Sequence, residues 1–300
     1  MSQSTLPVGR FAPSPSGRMH LGNIYTALMS WLSVKRRGGR WVLRIEDLDP
    51  DRSRPEFARL IEDDLLWLGL EWDEGGYTDP IGSNGPYCQS QRGEIYHEYL
   101  NRLIDTGLTY PCRCTRAQIL TTQAPHQSDG RVIYGGTCRP AVLPCPVSEP
   151  EWPHARRLYV GHEVIEYVDR NFGPQSYRLD RECGDFIVRR ADGAWSYQLA
   201  VVVDDALMGV TEVVRGSDLL LSAAQQIYLQ RLLGFPTPEY AHVPLICNDE
   251  GRRLSKRDKS LSMEELRKRY TPEGLLGHLA HMAGIIPEER PVTLTELLEN

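Results

Sequence analysis

Residues 10–23 read Arg10-Phe11-Ala12-Pro13-Ser14-Pro15-Ser16-Gly17-Arg18-Met19-His20-Leu21-Gly22-Asn23. The apolar run from Val8 to Phe11 predicts a short strand, and the Pro, Ser and Gly residues after it predict a tight loop. Leu21, Ile24, Leu28, Trp31 and Leu32 then fall at helical spacing, so 21–36 is expected to form an amphipathic helix closed by Gly38-Gly39. A helix that opens straight from a strand and loop leaves unpaired backbone N–H groups at the positive end of its dipole, where an anion fits. Gly22 lets a nucleotide approach the backbone, and His20 can donate to a phosphate oxygen. Taken alone, the same stretch also fits a capped helix bearing a surface histidine.

The chain continues in the same rhythm. Trp41, Leu43 and Ile45 alternate with Val42, Arg44 and Glu46, a period-two strand. Ser53 and Glu56, with Pro55 between them, are expected to form a capping box opening a helix through Leu60, Ile61, Leu65 and Leu68. Another helix is expected over about 90–106, ending at Gly107. Strand, helix, strand, helix predicts an α/β fold, a parallel sheet with helices on its faces. Residues 110–184 break the pattern with cysteines, prolines and glycines and read as an inserted, irregular subdomain. Alternation resumes with strands at Asp185–Arg190, Ser196–Val203 and Thr211–Arg215 and a helix from Asp218 to Leu233. A glycine-bearing basic loop, 251–260, precedes two short helices opened by Ser262 with Glu265 and by Thr271-Pro272-Glu273. The expected organisation is 1–107 and 185–250 as two halves of a catalytic domain, 108–184 as the insertion, and 251–300 as a loop and helical segment.

Composition limits what such a chain can be. Three hundred residues suit about two domains of the usual ~100–200 residues. Apolar residues make up 41% and charged residues 25%, which excludes wholesale disorder. The longest apolar run, Leu199 to Val203, is far too short to span a bilayer. The opening MSQSTLPVGR lacks a basic segment followed by an apolar core, and the seven cysteines are odd in number; a cytoplasmic protein with reduced or metal-bound thiols is expected. A monomer is the expectation for its assembly. The net charge of −6 is unevenly spread: residues 45–74 hold eleven acidic and three basic side chains, residues 251–270 eight basic and three acidic. The basic segment reads either as one localised phosphate contact or as a solvated helix face.

That segment contains Arg253-Leu254-Ser255-Lys256-Arg257. The chain has 30 arginines and only four lysines, yet Lys256 and Lys259 both lie here. A lysine is a compact charge on a flexible stem that can follow a phosphate. The P-S-P-S-G-x-x-H-L-G-N segment and this R-L-S-K-R segment together resemble the two signature motifs of class I aminoacyl-tRNA synthetases. Arg10–Gly17, Arg44-Ile45-Glu46-Asp47-Leu48-Asp49, Tyr197-Gln198-Leu199-Ala200 and Val213-Val214-Arg215-Gly216-Ser217-Asp218-Leu219 make the chain similar to bacterial glutamyl-tRNA synthetases, in order over about residues 8–260.

The resemblance implies a Rossmann-type parallel sheet split by an inserted zinc-binding subdomain, with a short C-terminal helical segment. It also implies a site for L-glutamate and ATP. Arg10 and Arg215 would fork the substrate carboxylates, Glu46 would meet its ammonium, and Phe11, Ala12, Pro13, Ser14 and Tyr197 would complete the pocket. His20, Gly22, Asn23, Ser255 and Lys256 would hold ATP, with His20 and Lys256 as the catalytic pair that neutralises growing charge and Mg²⁺ on the phosphates. Asn23 stands where the usual motif has a second histidine, and Val201 where full-length members often carry asparagine.

Cys112-Arg113-Cys114 followed by Cys138 is a zinc-like spacing, and zinc wants four ligands. Spacing alone suggests Cys145 or His126 as the fourth. Short paralogues of the family use Cys-x-Cys…Tyr-x-x-x-Cys, and Tyr134-Gly135-Gly136-Thr137-Cys138 matches it, so the resemblance implies Zn²⁺ on Cys112, Cys114, Tyr134 and Cys138. Cys88, Cys183 and Cys247 read as ordinary thiols.

Only about 40 residues follow residue 260, where full-length members continue with an anticodon-reading helical domain. The expectation is therefore a truncated paralogue that activates glutamate independently of tRNA(Glu) and places it on the queuosine base in the anticodon loop of tRNA(Asp). The basic 251–270 segment and the zinc subdomain are the candidate tRNA contacts. Three rival readings stand beside this one: a conventional synthetase for tRNA(Glu), an inactive tRNA-binding paralogue, and a glutamate-activating ligase with another acceptor.

Overall fold

The computed structural model describes residues 6–115, 117–118, 133–144, 150–246 and 261–299. The chain forms two compact units: residues 1–91, 209–218 and 238–300 make the first, and 92–208 with 219–237 make the second.

The first unit begins with β1 (Val8–Phe11), α1 (Leu21–Lys35), β2 (Arg40–Leu43), α2 (Pro55–Trp67) and the two-residue β3 (Glu74–Gly75). The three strands form one parallel sheet in that order, with Arg10 opposite Val42 and Phe11 opposite Leu43. The β1–β2 ladder continues past the strands, since Arg44 N donates to Phe11 O and Glu46 N to Pro13 O, both at 3.0 Å. Arg54, not Ser53, is the N-cap of α2; its backbone is extended and no side chain caps it. The capping box expected from Ser53 and Glu56 is therefore absent. Pro55 at N1 restricts the residue before it to extended conformations, and the helix starts there unaided.

The chain then builds the second unit: α3 (Gly93–Asp105), β4 (Thr109–Cys112), β5 (Ala155–Leu158), β6 (Val164–Asp169), β7 (Gly173–Arg178), the single turn α4 (Leu179–Glu182), β8 (Phe186–Arg189) and α5 (Tyr197–Leu207). Strands β4, β5 and β8 form an antiparallel sheet in that order, and β6 with β7 is an antiparallel hairpin. The strand expected at Ser196–Val203 is helix α5. Ser196 is its N-cap, the hydroxyl accepting from Leu199 N at 3.3 Å, and Leu199 to Asp205 are all buried. A continuous apolar run has no period to read, so a buried helix and a buried strand look alike. Asp204, fully buried, takes Arg92 Nε at 2.6 Å and the Tyr96 hydroxyl at 2.9 Å, which ties α5 to α3.

Strand β9 (Glu212–Gly216) returns to the first unit, α6 (Leu220–Leu233) belongs to the second, and β10 (Glu239–Val243), α7 (Met263–Arg269), α8 (Pro272–Met282) and α9 (Leu294–Glu299) complete the first. Strands β9 and β10 pair in parallel with Arg215 opposite His242. Strand β1 lies beside β9, where Thr211 N donates to Val8 O at 2.9 Å. Ser262 and Thr271 cap their helices as expected, accepting from Glu265 N and Gly274 N. The core joins Ile24, Leu28 and Leu32 of α1, Trp41 and Leu43 of β2, and Ile61 and Leu65 of α2 to Leu275, Leu279 and Leu297 of the C-terminal helices. At roughly 1.5–3 kcal/mol per buried large apolar side chain, these contacts make the C-terminal helices part of the first unit's core.

Candidate active site and metal centre

The expected glutamate-binding residues of the first unit gather around the C-terminal edge of its parallel strands, the edge where open α/β sheets take ligands. Arg10 on β1 and Arg215 on β9 are both buried at 4% exposure. Arg10 Nη1 donates to Val214 O at 3.4 Å, and Arg215 Nε donates to His242 Nε2 at 3.1 Å. With Nε2 accepting, the neutral tautomer of His242 carries its proton on Nδ1. Arg215 also lies over the Tyr240 ring, 5.3 Å from its centroid, and Tyr240 stacks on His242. Glu46, beyond the end of β2, is buried at 9% and accepts from Arg44 Nη2 at 3.2 Å. It is a held carboxylate, unlike a solvated one on an acidic surface. Ser14 is exposed in the loop after β1; Phe11 is buried, and Ala12 and Pro13 are half-buried.

At the start of α1, His20 is the N-cap, Gly22 is N2 and Asn23 is N3. Asn23 Oδ1 accepts from His20 N at 3.1 Å, so the residue that replaces a histidine in the motif closes the helix end. A Cβ on Gly22 would sit 3.3 Å from both Cε1 and Nδ1 of His20; glycine lets the imidazole lie against the first turn. Tyr197 is the first residue of α5 in the second unit and 37% exposed, and Val201 on the same helix is buried. Ser255 and Lys256, with the whole basic loop 251–260, lie outside the described residues. Farther along, part of the basic segment is used internally. Arg267 Nη1 pairs with Asp63 at 2.7 Å and its guanidinium lies over Trp67, while Lys268 pairs with Glu265 on its own helix. Burial raises the pKa of Asp64 against the opposing pull of Arg18 and Arg267.

In the second unit the sulfurs of Cys112, Cys114 and Cys138 lie within 4.8 Å of one another. Cys112 ends β4, Cys114 is two residues beyond it, and Cys138 sits in a turn after Tyr134. The Tyr134 hydroxyl is 3.5 Å from Cys112 Sγ and 3.8 Å from Cys114 Sγ, and it accepts from Cys138 N at 2.6 Å. Cys114 and Cys138 sulfurs are 3.5 Å apart. Four ligands on a tetrahedral zinc with bonds near 2.3 Å stand about 3.8 Å from one another, so the three thiols and the phenol fit such an ion. Burial, then the Cys112 hydrogen bond, raises the Tyr134 pKa. Burial also opposes ionisation of Cys138, but the backbone N–H of Arg113 with the Tyr134 hydroxyl and the neighbouring thiols outweighs it and lowers its pKa. Cys145 and His126, the alternatives for the fourth ligand, lie outside the described residues.

The thiols of Cys88 and Cys183 are free and are pushed up to about 12, chiefly by burial. Cys247 is outside the described residues. Two residues of these sites carried no signal in the sequence. His242 is a lone histidine in a strand, and Arg157 is one of thirty arginines.

The first unit thus sets buried arginines and a buried carboxylate on its parallel strands and their ends, beside a helix capped by His20. The model of the tRNA synthetases class I (E and Q) catalytic domain matches residues 8–291. The chain belongs to this family and is an enzyme of the class I aminoacyl-tRNA synthetase type. It is 48% identical to the Glutamyl-Q tRNA(Asp) synthetase of Symbiobacterium thermophilum, over 97% of this chain and 90% of that one. It is 47% identical to the protein of the same name from Nitratidesulfovibrio vulgaris, over 94% of this chain and 88% of that one. Among solved structures, a glutamate tRNA ligase from Elizabethkingia meningosepticum, crystallised in complex with its amino acid, superposes with a TM-score of 0.81 at 28% identity. That match covers 99% of this chain and 64% of the ligase. Among the described residues no helix is long and apolar enough to cross a membrane.

Proposed function

We propose that this chain activates L-glutamate with ATP, independently of tRNA(Glu), and transfers the glutamyl group to the queuosine base in the anticodon loop of tRNA(Asp). A glutamate carboxylate oxygen attacks the α-phosphorus of ATP, pyrophosphate leaves, and a glutamyl-adenylate forms; Mg²⁺ on the phosphates would neutralise part of their charge. A hydroxyl of the queuosine cyclopentene-diol then attacks the adenylate carbonyl, an ester forms and AMP leaves. No side chain acts as nucleophile; positioning and charge stabilisation supply the rate.

The observation that carries the amino-acid half of this reading is the set of Arg10, Arg215 and Glu46, two buried cations and one buried carboxylate on or just beyond parallel strands of the first unit. Glutamate has two carboxylates and one ammonium, and arginine forks a carboxylate in a way lysine does not. Ser14 adds its hydroxyl to the pocket in this reading, with Phe11, Ala12 and Pro13 as its backbone wall. His20, Gly22 and Asn23 take the ATP phosphates at the start of α1, and Ser255 and Lys256 are assigned to ATP as well. The acceptor half rests on the identity to the two relatives named for queuosine-bearing tRNA, which extends over nearly their full length. Residues 108–184 are then an insertion between the catalytic halves 1–107 and 185–250. Cys112, Cys114, Tyr134 and Cys138 would hold a zinc ion there, cross-linking the end of β4 to the turn at Cys138. Work on tRNA gives the enzyme a cytoplasmic location.

Glutamate-dependent ATP–pyrophosphate exchange tests the activation step. The purified chain is expected to exchange with L-glutamate, ATP and Mg²⁺ and no tRNA, and to lose on the order of 100-fold in rate in Lys256→Ala. Exchange with L-glutamine or L-aspartate in place of glutamate would contradict the amino-acid assignment.

A further inference from the structure

Arg157 lies on β5 beside the cysteine cluster, 6% exposed, where an unbalanced cation would be costly. Its guanidinium makes three contacts. Nε donates to Cys112 Sγ at 3.3 Å, Nη1 donates to the backbone carbonyl of Asp185 at 2.7 Å, and Cζ lies over the Tyr134 ring, 3.8 Å from its centroid. One side chain thus touches two of the four expected ligands, a sulfur directly and the phenol through its ring. The other nearby arginine is engaged differently. Arg139, next to Cys138, pairs at 2.7 Å with the Asp185 carboxylate, which also accepts from the Tyr110 hydroxyl at 2.5 Å. Arg139 and Asp185 balance each other, and Arg157 is left facing the sulfurs.

We propose that Arg157 is the positioning and charge-balancing residue of the Cys112–Cys114–Tyr134–Cys138 metal site, an inference that rests on the metal reading above. Three thiolates around a divalent ion leave one net negative charge, and a buried guanidinium against one of those sulfurs offsets it. Stacking on Tyr134 holds the ring so that its hydroxyl stays among the sulfurs, and the Asp185 carbonyl fixes the guanidinium plane. Outer partners of this kind typically change metal affinity by about 10–100-fold when removed.

The test compares the whole wild-type chain with Arg157→Gln, Arg157→Lys and Arg156→Gln. Arg156 is the buried neighbour on the same strand, and it donates to Thr109 Oγ1 at 3.0 Å. Zn²⁺ affinity is read by competition with a colorimetric chelator, the ligand set by Co²⁺ absorption, and folding by far-UV circular dichroism of the metal-free protein. Wild type is expected to bind one Co²⁺ with a thiolate charge-transfer band; if it does not, the metal reading itself fails. With wild type binding, Arg157→Gln is expected to weaken Zn²⁺ binding about 10–100-fold and to shift the cobalt spectrum. Arg157→Lys keeps the charge without the planar stack and is expected to lose about 5-fold. Arg156→Gln is expected to bind as wild type. Wild-type affinity in Arg157→Gln overturns the proposal while the metal reading survives, and so does an equal loss in the Arg156 variant. If Arg157→Gln does not fold, Arg157→Lys decides, and wild-type affinity with an unchanged cobalt spectrum overturns the proposal.

Discussion

At the scale of single residues, the account turns on Arg215. Its Nε donates to His242 Nε2 at 3.1 Å, a bond that aims the guanidinium. Arg215→Lys removes both the fork and the histidine bond, and kcat/KM for glutamate in pyrophosphate exchange is expected to fall on the order of 100-fold. His242→Gln keeps an acceptor and should retain a near-normal KM for glutamate; His242→Phe should raise it roughly 10-fold, with KM for ATP unchanged, because only the arginine's aim is lost. Equal KM values in the two variants would contradict this role. Arg10, Glu46 and Arg215 could be singled out as candidates because each sits inside an ordered string of motif residues. His242 was not, because its value lies in a cross-strand register with Arg215 that no local pattern announces. The thiols give a prediction in pH. Burial, then the carboxylates of Asp47 and Glu62, pushes Cys88 up to about 12. Its contribution to stability is therefore complete below the ordinary thiol pKa of 9 and is lost as pH rises toward about 12. Cys138 is lowered, so its contribution is present above 9 and is lost as pH falls through its folded value. Iodoacetamide near neutral pH, read by peptide mass spectrometry on the metal-free chain, is expected to label Cys138 well before Cys88, and Zn²⁺ to suppress the Cys138 label. Earlier labelling of Cys88 would contradict the burial argument.

At the scale of elements, the metal loop depends on one backbone crossing. Tyr134 forms an isolated parallel bridge with Gly184, whose φ is +63° and whose missing Cβ would stand 2.7 Å from Tyr134 O. Gly184→Ala carries the left-handed backbone penalty and a clash with main chain, so a loss of about 2 kcal/mol or more in denaturant unfolding is expected, together with weaker Zn²⁺ binding. An alanine variant as stable as wild type would show that the crossing does not constrain the loop. The elements that sequence reading located best were those with punctuation: α1 by its 3.6-residue period, α7 and α8 by Ser262 and Thr271 at their starts. Helix α5 was misread because Leu199 to Val203 is apolar throughout. Its one usable signal was Ser196, a good N-cap directly before the run. The box at Ser53 failed for the opposite reason: the residue pattern was present, but Pro55 had already set the start of α2.

At the scale of the whole molecule, the uneven charge has two uses. Part of the basic C-terminal segment is matched to the acidic helix α2 through Arg267 with Asp63 and Asp64, so its charge is partly internal to the first unit. In the proposed function the loop 251–260 carries the rest toward phosphate. The family was legible because its motifs require particular residue types at particular places along the chain. The acceptor was less so, since an attacking hydroxyl on RNA needs no side chain that leaves a motif. The most direct measurement is transfer of radiolabelled glutamate, with ATP and Mg²⁺, to purified tRNA(Asp) with and without queuosine, beside tRNA(Glu). Label on queuosine-containing tRNA(Asp) alone is the predicted result; label on tRNA(Glu), or equal label on tRNA(Asp) lacking queuosine, would contradict the account.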